Sequence, residues 1–217
     1  GIRILPPDIN RSTGSFSVED GSIRYGMAAV KGIGKPVMEA IVEERERGGL
    51  FSSLKDFCQR LSGKEVNKRT IENFIKAGAF DSFGGTRKQF MMIYVQVMDT
   101  VNQEKKSSMT GQMSLFDIMG EEDKKSFEIR LPDVGEYAKE SKLAFEKEVL
   151  GVYISGHPLE EYADVWKKNI TAATSDFYPM EESGLPKVRD GAKVIVGGMI
   201  TEKTIKYTKN NKVMAFI

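Results

Sequence analysis

A glycine-containing turn near the N-terminus has residue types that could bind a phosphate group. The turn, Val30-Lys31-Gly32-Ile33-Gly34-Lys35-Pro36, separates two segments whose apolar residues have helical spacing. Two glycines around one apolar residue allow a sharp turn that exposes backbone N–H groups, and the following helix adds the positive end of its dipole. Lys31 and Lys35 add positive charge, Ile33 is expected to anchor the turn in the core, and Gly34 is expected to need a backbone conformation that valine cannot adopt. The pattern predicts a helix-hairpin-helix that contacts a nucleic-acid backbone without distinguishing bases; the alternative is a plain helix-to-helix turn.

A second paired-glycine segment suggests a degenerate copy of this motif. It precedes a helix whose first turn is basic, and its candidate DNA contacts are Gly85, Thr86, Arg87 and Lys88. Lys68 and Arg69 are expected on the same side, although a solvated charged helix end explains them equally well. Two hairpins related by pseudo-symmetry could hold phosphates on both strands of a duplex, with affinity set by shape and salt.

A polar segment after the helices carries an isolated apolar motif. It contains Gln112, Met113, Ser114, Leu115 and Phe116. Large apolar residues in a polar linker either pack back onto their own domain or insert into an apolar pocket of a partner, and the residues leave both alternatives open.

Composition limits the classes of protein and site. The chain has 217 residues, with 32 Lys and Arg against 31 Asp and Glu. The single cysteine, Cys58, and the single histidine, His157, exclude an internal disulfide and a zinc finger. No apolar run approaches the length of a membrane span, so we expect a cytoplasmic protein without membrane contacts. The two ends of the chain predict a piece of a larger protein.

Apolar periodicity predicts a mainly helical fold. Residues 15–26 alternate around Asp20-Gly21, which predicts a β-hairpin. Helical spacing follows, with an N-cap at Asn67 and a capping box at Thr86-x-x-Gln89. The predicted apolar faces are Leu54, Phe57, Cys58 and Leu61; Ile71, Phe74 and Ile75; and Phe90, Ile93, Tyr94 and Val97.

The C-terminal part is predicted to pass from helix to strand. One helix is expected from about Glu136 to Gly151, and another begins at Pro158. From Ala192 the pattern predicts strands at 194–196 and around 204–208, with a turn at Asn210-Asn211 and a return strand.

Several blocks together resemble an internal stretch of the family C polymerases, the family of the bacterial replicative DNA polymerase III alpha subunit. The blocks are GIRILPPDIN (1–10), YGMAAVKGIG (25–34), NKR (67–69), KAGAFD (76–81), QMSLF (112–116), FEKEVLG (145–151), SGHPL (155–159), VGG (196–198) and MAF (214–216). The resemblance runs through essentially the whole chain.

The resemblance implies a division into five regions. These are the end of the fingers region with a β-hairpin (1–26), a tandem helix-hairpin-helix DNA-binding domain (27–101), a linker with the sliding-clamp motif (102–135), a helical connecting segment (136–191) and the start of a truncated OB-fold (192–217). It implies that Gln112 to Phe116 bind the sliding clamp, the beta subunit, with Met113 at a position that is often leucine. Implied partners are double-stranded DNA, the clamp and other replisome subunits, with single-stranded DNA as a further ligand of a complete OB-fold.

The resemblance also implies that the parent protein is a DNA-directed DNA polymerase that uses Mg²⁺, whereas this piece has no catalytic residues, cofactor or metal of its own. The chain has no Asp-x-Asp, and the acidic pairs Glu44 with Glu46 and Glu121 with Asp123 are interpreted as solvated surface. Two alternatives stay open. One is a repair or recombination scaffold that binds duplex DNA through tandem hairpins, and the other is an error-prone paralogue of the same polymerase family.

Overall fold

The computed structural model describes residues 2–63, 66–109, 129–181 and 183–216. The chain divides into two compact units, Gly1–His157 and Pro158–Ile217, and the five predicted regions are finer than this division. The predicted clamp motif, Gln112 to Phe116, lies outside the described residues. The mainly helical fold class is confirmed, and the described residues also form two small sheets.

The predicted N-terminal β-hairpin is confirmed. Strands β2 (Ser17–Glu19) and β3 (Ser22–Arg24) pair antiparallel, with Val18 opposite Ile23. Asp20 and Gly21 have φ angles of 48° and 72°, the left-handed conformation that a two-residue hairpin turn requires. Strand β1 (Ile4–Leu5) pairs parallel to β3, so the sheet order is β1-β3-β2.

The described residues of the first unit form five α-helices after this sheet. They are α1 (Lys35–Gly48), α2 (Leu54–Leu61), α3 (Lys68–Ala77), α4 (Arg87–Met109) and α5 (Lys139–Leu150). The predicted N-cap is confirmed, because the Asn67 side chain accepts a hydrogen bond from the Thr70 N–H at 3.0 Å. Helix α3 packs against both α4 and α5, so residues on either side of the segment 110–128 belong to one unit.

Aromatic residues fill the centre of this unit. The rings of Phe57, Phe74 and Phe80 are fully buried or nearly so and meet edge to face, with centroids 5.2–6.4 Å apart. Cys58 is buried beside them, and burial raises the pKa of its thiol to about 12. The predicted core position of Cys58 is therefore confirmed, and its thiol stays protonated at neutral pH.

The chain returns to the beginning of α4 after the segment 110–128. Ile129 and Leu131 line an apolar groove of about 260 Å³ together with Phe83 and Phe90. The Gln89 side chain donates a hydrogen bond to the Pro132 carbonyl at 2.8 Å. These contacts fix residues 129–132 beside the first two turns of α4.

In the second unit, the described residues form one short α-helix and one β-hairpin. Residues 158–162 form a 3-10 helix that leads into α6 (Ala163–Asn169). Strands β4 (Thr204–Tyr207) and β5 (Val213–Phe216) pair antiparallel across the predicted turn. The predicted strand at 194–196 is wrong, because Ile195 instead exchanges hydrogen bonds with the backbone and hydroxyl of Thr171. No described helix combines the length and hydrophobicity of a membrane span.

Candidate nucleic-acid interface

The first predicted hairpin forms an exposed turn between a 3-10 helix (Met27–Ala29) and α1. Lys31, Gly32 and Gly34 are exposed, whereas Ile33 is buried as predicted. Gly32 has a φ of 78°, which a residue with a side chain rarely adopts. Gly34, in contrast, has an ordinary extended backbone with a φ of −79°. The expectation that Gly34 needs glycine for its φ angle is wrong, and Gly32 is the position with that requirement.

Three long-range hydrogen bonds hold the turn in place. The Lys31 N–H donates to the carbonyl of Val149 at the end of α5, at 2.8 Å. The Asn73 side chain, on α3, donates to the Lys31 carbonyl at 2.8 Å. Nearby, the Tyr25 hydroxyl donates to the carbonyl of Leu150 at 2.7 Å. The turn is therefore fixed by helices that are distant in sequence, with its glycines facing solvent.

The structure brings three of the predicted DNA contacts to one cleft. Lys31 reaches it from the turn, and Lys68 and Arg69 reach it from the first turn of α3. The cleft has a volume of about 480 Å³, and its other lining residues are Glu72, Asn73, Lys76, Glu148 and Val149. Four cations against two carboxylates leave the cleft with a positive charge, which favours a phosphate backbone.

The cations of this basic cleft differ in their partners. Lys76 lies 2.9 Å from both Glu72 and Glu148. Burial opposes the charge of Lys76, but hydrogen bonds to these two carboxylates outweigh it and raise the pKa of Lys76. Lys68 pairs with Asp99 at 2.8 Å. None of the ion pairs among the described residues involves Lys31 or Arg69, so these two cations are best placed to meet a phosphate.

Lys35, a further predicted contact, lies outside the cleft lining. It is the first residue of α1, its side chain is largely exposed, and it lies 3.4 Å from Glu39 one helical turn later. An exposed pair of this kind contributes little to stability, so Lys35 can still exchange Glu39 for an approaching phosphate.

Arg87 does not lie on the surface, which contradicts its prediction as a DNA contact. Its side chain is only 3% exposed and donates hydrogen bonds to Asp81 and Glu146, each at 3.0 Å, and to the Lys76 carbonyl. Glu146 is itself buried and also accepts from the N–H groups of Ile154 and Ser155. Burial alone raises the pKa of Glu146, but these hydrogen bonds and the Arg87 charge lower it overall. Arg87 therefore joins α4 to α5 inside the protein.

The remaining residues of the second hairpin serve its own structure. Thr86 and Gln89 form the predicted capping box, with N···O distances of 2.8 and 3.2 Å. The N–H groups of Arg87 and Lys88 donate to the two carboxylate oxygens of Glu136 at 3.2 and 3.3 Å. A Cβ on Gly85 would lie 2.7 Å from the Phe90 ring, so glycine is needed there for packing.

The described residues do not fit the Mg²⁺ site of a polymerase. Glu44, interpreted from the sequence as a solvated residue, is buried and pairs with Arg47 and with Arg60, the latter at 3.3 Å. The described part of the chain holds no cluster of three or more residues that could bind a metal ion. Glu121 and Asp123 lie outside the described residues.

Comparison with known proteins places this geometry in a family. A family model described as "Helix-hairpin-helix motif" matches residues 1–90. DNA polymerase III subunit alpha of Borreliella burgdorferi is 36% identical over 216 residues, and that of Deinococcus radiodurans is also 36% identical. The chain is homologous to part of the DNA polymerase III alpha subunit. The corresponding protein of Escherichia coli O6:H1 is 34% identical over 207 residues. These matches cover 94–100% of the chain, which spans only 16–18% of the length of these polymerase subunits.

The sequence alone does not predict several residues that line the basic cleft and come from distant parts of the chain. Glu72 and Lys76 could have been paired from their i, i+4 spacing. No sequence pattern identifies Asn73, Glu148 or Val149 as part of the cleft, because these residues meet the turn only after α3 and α5 have packed together. No sequence pattern identifies the role of Glu136 either, since it caps a helix almost 50 residues earlier in the chain.

Gly32 and Gly34 offer a matched test of the turn. We expect Gly32→Ala to weaken duplex binding and to destabilise the protein by about 1–2 kcal/mol, because its φ is positive. Its new Cβ would also lie 2.9 Å from Asn73 Nδ2. Gly34→Ala is the control for stability, because its Cβ would meet only the Pro36 ring at 3.5 Å. Thermal unfolding measures stability and fluorescence anisotropy measures duplex binding of Gly32→Ala, and an equal loss of stability in the two variants would contradict the assigned turn.

Proposed function

We propose that this chain is the DNA-holding portion of a bacterial replicative DNA polymerase III alpha subunit. The observation that carries the proposal is the basic cleft, in which Lys31, Lys68 and Arg69 converge from two separate segments beside an exposed glycine turn. Contacts of this kind bind phosphates and not base edges, so the chain holds DNA of any sequence. A polymerase needs this property because it must stay bound while the template moves.

Template-directed DNA synthesis, with Mg²⁺, belongs in this proposal to the complete polymerase. The homology to DNA polymerase III alpha subunits supports that assignment, and in this proposal the present portion contributes no catalytic residue. The complete protein then acts in the cytoplasm with the other replisome subunits.

Duplex binding by the chain tests the proposal directly. A fluorescein-labelled 20-base-pair duplex is titrated with the chain at several salt concentrations, and anisotropy is recorded. We expect binding whose log K falls linearly with log salt, with equal affinity for unrelated sequences. Absence of binding at low salt, or affinity that depends on sequence, would overturn the proposal.

The motif Gln112 to Phe116 supplies a second contact, to the sliding clamp. Leu115 and Phe116 are apolar residues in a polar segment, and the resemblance to the polymerase family supports their insertion into a clamp pocket. A motif of this kind keeps the polymerase near a clamp that already encircles DNA, even when each single contact is brief.

We expect the triple variant Gln112→Ala, Leu115→Ala, Phe116→Ala to lose at least tenfold in affinity for a bacterial sliding clamp, because it removes both apolar anchors. Anisotropy with a labelled clamp measures the loss. Duplex binding of the same variant is the control and is expected to stay unchanged. Equal clamp affinity in the two proteins would argue for packing of Leu115 and Phe116 on their own domain.

The last region is proposed to begin an OB-fold. The β4-β5 hairpin and the exposed ring of Tyr207 support this assignment, because such barrels bind single strands by stacking bases on aromatic side chains. In this proposal the boundaries remain at residues 26, 101, 135 and 191, and single-stranded DNA is a ligand of the complete barrel.

A further inference from the structure

The first turn of α4 is already filled by side chains of the chain itself. Helices begin with N–H groups that have no partner within the helix, and these groups make the helix start a place where anions bind. In α4 every N–H from Thr86 to Gln89 has a side-chain acceptor, and two of them donate to the Glu136 carboxylate. Glu136 thus occupies the position that a phosphate would need.

The first turn of α1 is different. It begins after Gly34, which has no side chain and therefore forms no side-chain cap. Pro36 adds no N–H, and the glycines of the turn are exposed. Lys31, beside this turn, faces the basic cleft, whereas Arg87, the first residue of α4, points into the protein.

We infer that the chain holds duplex DNA through one strand only, at the α1 turn and the basic cleft, and that Glu136 closes the second hairpin to DNA. This inference rests on the proposed function and narrows it. Within the described residues the α1 turn is the one hairpin left open to a phosphate, so the symmetric two-strand arrangement that paired hairpins suggest does not form.

Lys31 and Lys88 provide a matched pair of variants. Each is a lysine near the start of a hairpin helix, but only Lys31 lines the cleft. We expect Lys31→Ala to lower duplex affinity about eightfold at 0.1 M salt and to reduce the salt slope by about 0.9, the values for one phosphate contact. Lys88→Ala is expected to change affinity less than twofold. An equal loss in both variants would overturn the inference.

A duplex with one neutral strand tests the same inference from the DNA side. One strand carries methylphosphonate linkages and the other carries natural phosphates. If the chain contacts only the natural strand, the number of phosphate contacts is unchanged. The salt slope then falls by only about a fifth, because the charge density of the duplex with one neutral strand is that of a single strand. Contact with both strands would also halve the number of contacts, so the slope would fall by about 60%, and that result would overturn the inference.

The two proposals fail in different ways. No binding of the natural duplex at low salt would refute the proposed DNA-holding function itself. Binding that depends equally on Lys31 and Lys88, or on both charged strands, would leave that function in place and refute single-strand contact. Thermal unfolding of both lysine variants confirms that the compared proteins are folded.

Discussion

Replacing Arg87 with alanine is expected to destabilise the unit Gly1–His157 by about 3–5 kcal/mol, because a buried charge loses its partner. Glu146 is almost fully buried and would keep only its hydrogen bonds with Ile154 and Ser155. Asp81 would lose the same guanidinium. A loss of this size is a large part of the stability of a typical domain. Urea unfolding followed by circular dichroism measures it.

Lys88→Ala is the control for Arg87, since it removes a cation from the adjacent position of the same helix. It is expected to change stability by less than about 0.5 kcal/mol, as an ordinary surface substitution does. If Arg87→Ala unfolds at the same urea concentration as the natural chain but loses duplex affinity, Arg87 contacts DNA after all and its buried position is wrong.

Removing three of the four cations that line the basic cleft is expected to have the largest effect on DNA binding. The variant Lys31→Ala, Lys68→Ala, Arg69→Ala should lose about 100-fold in duplex affinity at 0.1 M salt, and its salt slope should fall by up to about 2.7. The loss of affinity is less than three full contacts predict, because Lys68 already pairs with Asp99. Anisotropy titrations over a salt series give both quantities.

A charge-matched variant shows whether the position of these cations matters. Lys167, Lys168 and Lys193 are exposed residues of the second unit, and their replacement by alanine removes the same total charge. We expect a loss of less than threefold in duplex affinity. If both triple variants bind duplex equally weakly, binding reflects overall charge and the basic cleft is not the site.

The sequence predicted features that depend on neighbouring residues and missed those that depend on packing. Asp20-Gly21 identified the hairpin and Asn67 a helix start, because turn and cap chemistry act over two or three residues. The basic residues 87 and 88 looked alike in sequence, yet one is buried and one is not. Their difference comes from Glu146, 59 residues farther along the chain, which pairs with the Arg87 side chain, whereas Glu136 accepts from the backbone N–H groups of both residues.

The same limit explains the two glycines of the first turn. Gly32 and Gly34 are equivalent as a pattern, but only Gly32 has a positive φ and only Gly32 approaches Asn73. The basic cleft could be predicted in part, because the charge of Lys31, Lys68 and Arg69 and the motifs beside them indicate DNA contacts. Its carboxylates could not, since Glu148 reaches Lys76 only across the α3–α5 contact.

The fixed positions of α4 and of residues 129–132 have a consequence for any partner of the segment 110–128. These 19 residues leave from one end of α4 and return beside the other end, so both of their ends are attached to one body. Nineteen residues with both ends attached reach at most about 33 Å at their midpoint, half of the fully extended length. If the proposed clamp contact forms, a clamp held at Gln112–Phe116 would therefore stay within a small volume around this body. A confined volume of this size corresponds to an effective concentration in the millimolar range, so the clamp would rebind before it diffuses away.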